Sequence, residues 1–221
     1  MLFSGVSQRR IAMILKVSRL TVVRKFIFLA NLCREQNLQD FLNHPQFSQI
    51  QFDDLETIEH TKCKPLSVTL AVEKHSRFIL GFEVSRMPAK GHLASIALKK
   101  YGPRADKRQK AREKLFRHLS QNIDPRAQFE SDQNPHYTPV VKKYFPLSTH
   151  STTKGQRGCV SGQGELKKIG FDPLFTLNHT FAMLRANINR LFRKTWCTTK
   201  DPERLRDHIE IYVHFHNRCV I

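Results

Sequence analysis

The apolar positions of this chain change period along its length. Over residues 6–30 they recur at helical spacing in two short runs. Ser7 is placed to cap a first helix whose apolar face is Ile11, Ile14 and Leu15. Lys16-Val17-Ser18 interrupts it, and Ser18 can cap a second helix that turns Leu20, Val23, Phe26 and Ile27 inward. This is the helix-turn-helix pattern, in which the second helix would offer Arg19, Thr21, Val22, Arg24 and Lys25 to a major groove. Lys16 stands where such turns usually carry glycine, so a left-handed backbone there would be strained. The plainer alternative is a helical hairpin packed on the rest of the protein. Residues 31–48 read as a polar, partly helical connector, with Asn37, Gln39, Asp40, Asn43, His44 and Pro45 diluting any core face.

Beyond that point the period falls to two. Ile50 to Asp53, Leu66 to Val72 and Phe78 to Val84 are the first three expected strands. The polar gap Glu73 to Arg77 has the length of a turn, which predicts an antiparallel hairpin. His92 to Lys100 reads as a helix, and the basic segment after it buries Leu115, Phe116 and Leu119. A fourth strand is expected over Ala127 to Asp132, a short helix over Tyr137 to Tyr144, and a fifth strand over Pro146 to His150. A long helix is expected from Asp172 to Lys194, with Leu174, Leu177, Phe181, Leu184, Ile188 and Leu191 as one stripe. Pro202 opens a last helix to about His216. Three hairpin-connected strands followed by alternating helices and strands predict an α/β protein with a mixed sheet flanked by helices. A ribonuclease H-like fold, preceded by a small all-α helix-turn-helix, meets that description.

Charge narrows the partners. The chain has 37 Lys+Arg against 19 Asp+Glu in 221 residues, a net charge of +18. Such an excess attracts polyanions, and nucleic acid is the first to consider. Lys107, Arg108 and Lys110 belong to a basic run over residues 99–117 that Asp106 and Glu113 hardly offset, so phosphate contact is expected there. No run of about 18 apolar residues suggests a membrane span. The five cysteines are scattered and form no Cys-x-x-Cys pair, which suits reduced thiols in a cytoplasm. A nucleoid-associated cytoplasmic location is the expectation.

Against that basic background two acids stand out. Asp53, in Gln-Phe-Asp-Asp-Leu-Glu-Thr, and Asp132, in Gln-Phe-Glu-Ser-Asp-Gln-Asn, each close an extended apolar stretch. Carboxylates at the ends of neighbouring strands can share Mg²⁺ (or Mn²⁺), a hard ion that completes its shell with substrate phosphate. Such ions support in-line phosphoryl displacement. Asp54 should point to the opposite face from Asp53 and read as a surface acid, whereas Glu56 is a possible auxiliary. Trp196 is expected in the core.

Four stretches then resemble a bacterial insertion-sequence transposase with a DDE core, of the insertion sequence 1 type. They are the helix-turn-helix Ser-Gln-Arg-Arg-Ile-Ala…Val-Ser-Arg-Leu-Thr-Val, the Phe52-Asp53-Asp54-Leu55 strand, the Ser131 to Tyr137 segment, and the basic Leu184 to Thr195 helix followed by Lys200. The resemblance implies a helix-turn-helix over 1–35, a linker over 36–48 and a ribonuclease H-like catalytic domain over 49–221. It implies divalent metal held by Asp53 and Asp132, cleavage of double-stranded DNA at element ends, transfer to target DNA, and a homo-oligomer when active. Arg185, Arg193 and Lys194 would help hold the DNA end. The third acid departs from the pattern. Asn178 falls where relatives carry glutamate, Glu165 is the leading substitute as a catalytic residue, and Asp172 is a further one, better suited to capping the helix. The cysteine-containing segment expected ahead of the helix-turn-helix is also missing, which suggests a truncated copy or a separate frame. The alternative function is a catalytically impaired remnant that binds DNA without catalysis; a related nuclease without strand transfer is a third reading.

Overall fold

Both N-terminal serines cap the helices that their context predicts. In the computed structural model, which describes residues 1–154, 172–192 and 195–221, Ser7 accepts the Arg10 N–H at the start of α1 (Gln8–Ile14). Ser18 accepts the Thr21 N–H at the start of α2 (Arg19–Asn43). Between them Lys16 is left-handed, with φ of 51°. The inward faces differ from the periodic reading. Ile11 and Ala12 pack on Val22, a residue expected to face DNA, while Ile14, Leu15 and Leu20 are more than half exposed.

The residues expected to form a connector continue α2 without a break to Asn43. Tertiary contacts, not local periodicity, hold this stretch: Arg34 pairs with Asp207 and Glu210, Asn37 bonds Glu210, and Arg218 forks onto Asp40. All these partners lie on α7 (Pro202–Cys219), which α2 packs along. An apolar groove of about 810 Å³ remains between α1, α2 and α7, lined by Leu15, Val17, Leu29, Leu32, Ile211 and Phe215 among others.

Among the described residues the sheet has five strands: β1 (Phe47–Ile58), β2 (Pro65–Glu73), β3 (Ile79–Arg86), β4 (Ile123–Asp132) and β5 (Thr149–Thr153). Their order is β3-β2-β1-β4-β5. The first three pair antiparallel, and β4 and β5 add parallel to β1. Every residue of β2 from Leu66 to Val72 is buried, since helices cover both faces of the sheet. On one face Phe52, Phe116, Phe129, Val141 and Phe145 pack beneath α4 (Arg108–Leu119) and α5 (Tyr137–Tyr144). On the other, Leu55, Val68, Leu70, Leu177, Leu184, Leu205 and Tyr212 pack beneath α6 (Phe175–Asn187) and α7. A remaining helix, α3 (Leu93–Tyr101), follows β3.

Two of the expected boundaries move for visible reasons. β5 begins at Thr149, because Pro146 and Leu147 form the turn that ends α5. The helix expected to run to 194 ends at Asn187, where Ile188 turns extended (φ −100°, ψ 106°) before a short 3-10 turn over Asn189–Leu191. The Gly5 N–H takes the Asn187 carbonyl at 2.6 Å, so the N-terminal segment stands where the next helical turn would be. Gly5 itself has φ of 72°, and a Cβ there would meet the Phe192 ring at 3.0 Å. Trp196, expected in the core, is 79% exposed. No helix among the described residues is long and apolar enough to cross a membrane.

Candidate phosphoryl-transfer site

The parallel register of β1 and β4 decides where the two acids go. Gln49 pairs with Gln128, Ile50 with Phe129 and Gln51 with Glu130. Two residues further along each strand stand Asp53, within β1, and Asp132, the last residue of β4. Asp53 does not close its strand as expected, because β1 continues to Ile58 paired with β2. Asp132 stands at the rim of an open α/β sheet where ligands usually bind, with Asp53 level with it on the neighbouring strand. The chain diverges immediately after: the Asn134 N–H bonds Asp132 Oδ1 at 2.9 Å, and the Tyr137 N–H then bonds the Asn134 carbonyl at 3.1 Å. The Asp-Gln-Asn-Pro-His-Tyr turn thus ends β4 and folds Tyr137 back towards β1.

There the Tyr137 hydroxyl donates to Asp53 Oδ1 at 2.8 Å, and the Asp54 N–H donates to the same oxygen at 2.6 Å. Burial first, and the Asp132 charge second, raise the Asp53 carboxyl to about 6, against the opposing pull of those two donors. Burial and the charges of Asp54, Asp53 and Asp132 push the Tyr137 phenol far upward, so it remains a donor. Two oxygen-donor acids, one of which raises the proton affinity of the other, fit a hard divalent cation, which would relieve the repulsion.

Asp54 is on the opposite face, as alternation requires, but it is not a surface acid. Its Oδ2 pairs at 2.9 Å with Arg112, whose side chain is only 4% exposed, and its Oδ1 accepts the Thr69 hydroxyl. The Arg112 guanidinium lies 5.5 Å from the centre of the Tyr137 ring. Glu56 is no auxiliary to Asp53. Three residues away, it has the opposite parity, and it is exposed and paired with Lys90 at 2.6 Å.

A polar row beside the acids escaped the periodic reading. Gln51, 1% exposed, donates to Glu130 and to the Pro173 carbonyl, both at 2.8 Å, and accepts the Leu177 N–H at 3.1 Å. Lys74 also pairs with Glu130, and Thr176 bonds the Lys74 carbonyl at 2.7 Å. The start of α6 is thereby tied to β1 two residues before Asp53. Gln51, set between the apolar Ile50 and Phe52, was the local signal of this anchor.

Glu165 lies outside the described residues. Asp172 holds the Leu174 N–H at 2.9 Å and accepts the Asn178 amide at 2.8 Å, so these two residues satisfy each other at the start of α6. Among the described residues no three His, Cys, Asp or Glu side chains gather in a group able to hold a metal.

The expected DNA-facing residues have separate fates. Arg19, Thr21, Arg24 and Lys25 are exposed at the start of α2. The Thr21 hydroxyl is nonetheless engaged with Ser18 at 2.9 Å, and Lys25 lies over the Phe28 ring. In the 99–117 run the charge is more offset than its own acids suggest. Arg104 pairs with Glu59, Arg112 with Asp54 and Lys114 with Glu83, while Arg108 forks onto Asp106. Lys107, Lys110 and Arg117 stay exposed, without a carboxylate partner among the described residues. Arg185 is half-buried in the last turn of α6. Arg193 and Lys194 lie outside the described residues.

No family model matches this chain, and no curated protein matches its sequence.

Proposed function

We propose that this chain is a DNA-processing phosphoryl-transfer protein of the DDE transposase kind, built on a ribonuclease H-like sheet. One observation carries the reading: Asp53 within β1 and Asp132 at the end of β4 stand level on adjacent parallel strands of a β3-β2-β1-β4-β5 sheet, near enough for the Asp132 charge to weigh on Asp53. Asp53 and Asp132 would hold the divalent ion, Mg²⁺ or Mn²⁺. When bound, such an ion supplies positive charge to the phosphodiester oxygens and acidifies the attacking hydroxyl. The protein's own part is to aim the two carboxylates and to hold the polyanion. Exposed cations on α4 and at the start of α2 would contact the backbone of double-stranded DNA. In cleavage, the water oxygen bonds to phosphorus and the 3′-oxygen leaves as a hydroxyl; in transfer, that hydroxyl attacks a target phosphodiester and displaces a second 3′-oxygen. An assembly of copies would bring two element ends together.

A second reading has its own support. The described residues supply two acids to the rim and no third, and Asn178 offers only a neutral amide. This is what a remnant that binds DNA without cutting it would show. The test is Mn²⁺-dependent cleavage of double-stranded DNA carrying the element's ends. Cleavage by the intact protein that falls at least 100-fold in Asp53→Ala and in Asp132→Ala supports the enzyme; removing one member of a catalytic set typically costs that much or more. Cleavage that survives both substitutions would sink the site. DNA binding without any cleavage would favour the remnant.

A further inference from the structure

Tyr137 is fully buried at the head of α5, and among the described residues its hydroxyl has a single acceptor, Asp53 Oδ1, at 2.8 Å. The Asp54 N–H takes the same oxygen, and no described residue donates to Asp53 Oδ2. Among the described residues one carboxylate oxygen is therefore clamped twice and the other takes no donor. The ring that carries the clamp is itself fixed on two sides. Phe52 packs on it with ring centres 5.0 Å apart, and the Arg112 guanidinium lies over it. Arg112 can be there only because Asp54 and Thr69 complete a buried, hydrogen-bonded ion pair. The adjacent aspartates thus have divided tasks, one facing the rim and the other anchoring the frame behind it.

We propose that Tyr137 is a positioning residue of the acid pair. It holds Asp53 Oδ1 so that Oδ2 is the oxygen offered to a divalent cation, with the Asp54–Arg112 pair as the frame that fixes Tyr137. The proposal rests on the metal-dependent reading above. Partners that orient a ligating side chain typically change metal affinity by 10- to 100-fold when removed. A tyrosine that merely filled the core would leave affinity unchanged once its ring was kept.

The test is Mn²⁺ binding by the full chain, read from the electron paramagnetic resonance signal of the free ion, with thermal unfolding measured on each sample. Tyr137→Phe keeps the ring, so the folded state should persist while Mn²⁺ affinity falls roughly 10-fold. Asp53→Asn should abolish binding. If Asp53→Asn loses the ion but Tyr137→Phe matches the intact protein, the positioning role is overturned and the metal reading stands. If the intact protein binds no Mn²⁺ at millimolar concentration, both fall. Should Tyr137→Phe fail to fold, the double variant Asp54→Asn, Arg112→Met removes both buried charges together. It should also weaken Mn²⁺ binding several-fold, and an unchanged affinity there overturns the proposal.

Discussion

Asp53 makes folding and ion binding compete for one carboxyl. In the folded chain it is raised to about 6 by burial and by Asp132, whereas an unfolded aspartate titrates near 3.9. The folded state therefore holds this proton more tightly, and the stability linked to Asp53 is full below about 4 and lost as pH rises through about 6. Buried histidines act in the opposite sense: burial lowers His208 to about 4 and depresses His118 and His216, so acid favours unfolding through them. The Asp53 share is isolated by comparing melting temperatures with Asp53→Asn in a chelating buffer. At pH 7 the variant should melt higher, because it buries no charge. Its advantage should shrink steadily towards pH 5; a constant gap across that range would mean that Asp53 is not perturbed. The neighbour Asp54 shows how far single residues were legible. Alternation put it on the correct face, but its burial depended on Arg112, 58 positions away, which no local pattern reveals.

At the scale of elements, close packing sets limits that a substitution can probe. Where β3 passes beneath α4, a Cβ on Gly81 would stand 3.0 Å from both Leu115 Cδ1 and His118 Cδ2. His118 is held there by its contact with the Leu80 carbonyl, so it has little freedom to withdraw. Gly81→Val should lower unfolding free energy by about 1–3 kcal/mol, measured by urea denaturation, with Gly81→Ala losing less. An unchanged midpoint for Gly81→Val would show that α4 can shift. The strands and their hairpin were readable because alternation and turn residues are local signals. The course of α2 was not: its polar residues 34, 37 and 40 look like a connector until α7 supplies their partners. The early end of α6 likewise comes from the N-terminal segment, which reaches Asn187 from the far end of the chain. Asp53 and Asp132 could be singled out as acids following extended apolar stretches, although only Asp132 ends its strand. Tyr137, Arg112 and Gln51, which surround them, could not, since only the folded sheet brings them there.

For the whole molecule, the surplus of 37 cations over 19 acids acquires a direction once the ion pairs are drawn. Carboxylates from distant strands and helices absorb Arg104, Arg112, Lys114 and Arg206, leaving the uncompensated charge in separate exposed groups. Lys107, Lys110 and Arg117 form one stripe along α4, and Arg19, Arg24 and Lys25 another at the start of α2. A cation already paired within the protein releases no counterion when DNA arrives, so the two classes should separate in the salt dependence of binding. Each phosphate neutralised on duplex DNA contributes about 0.9 to the slope of log affinity against log salt. Replacing Lys107, Lys110 and Arg117 together by Gln should therefore flatten that slope by roughly 2 to 3. Arg104→Gln should leave the slope alone and act on stability, because it removes the shorter of the two Glu59 ion pairs and leaves Arg86 at 3.6 Å. Titrations of a fluorescent duplex at several salt concentrations would read both effects. A slope untouched by the α4 triple variant, yet flattened by the corresponding changes at Arg19, Arg24 and Lys25, would move the DNA track from the sheet to the helical pair.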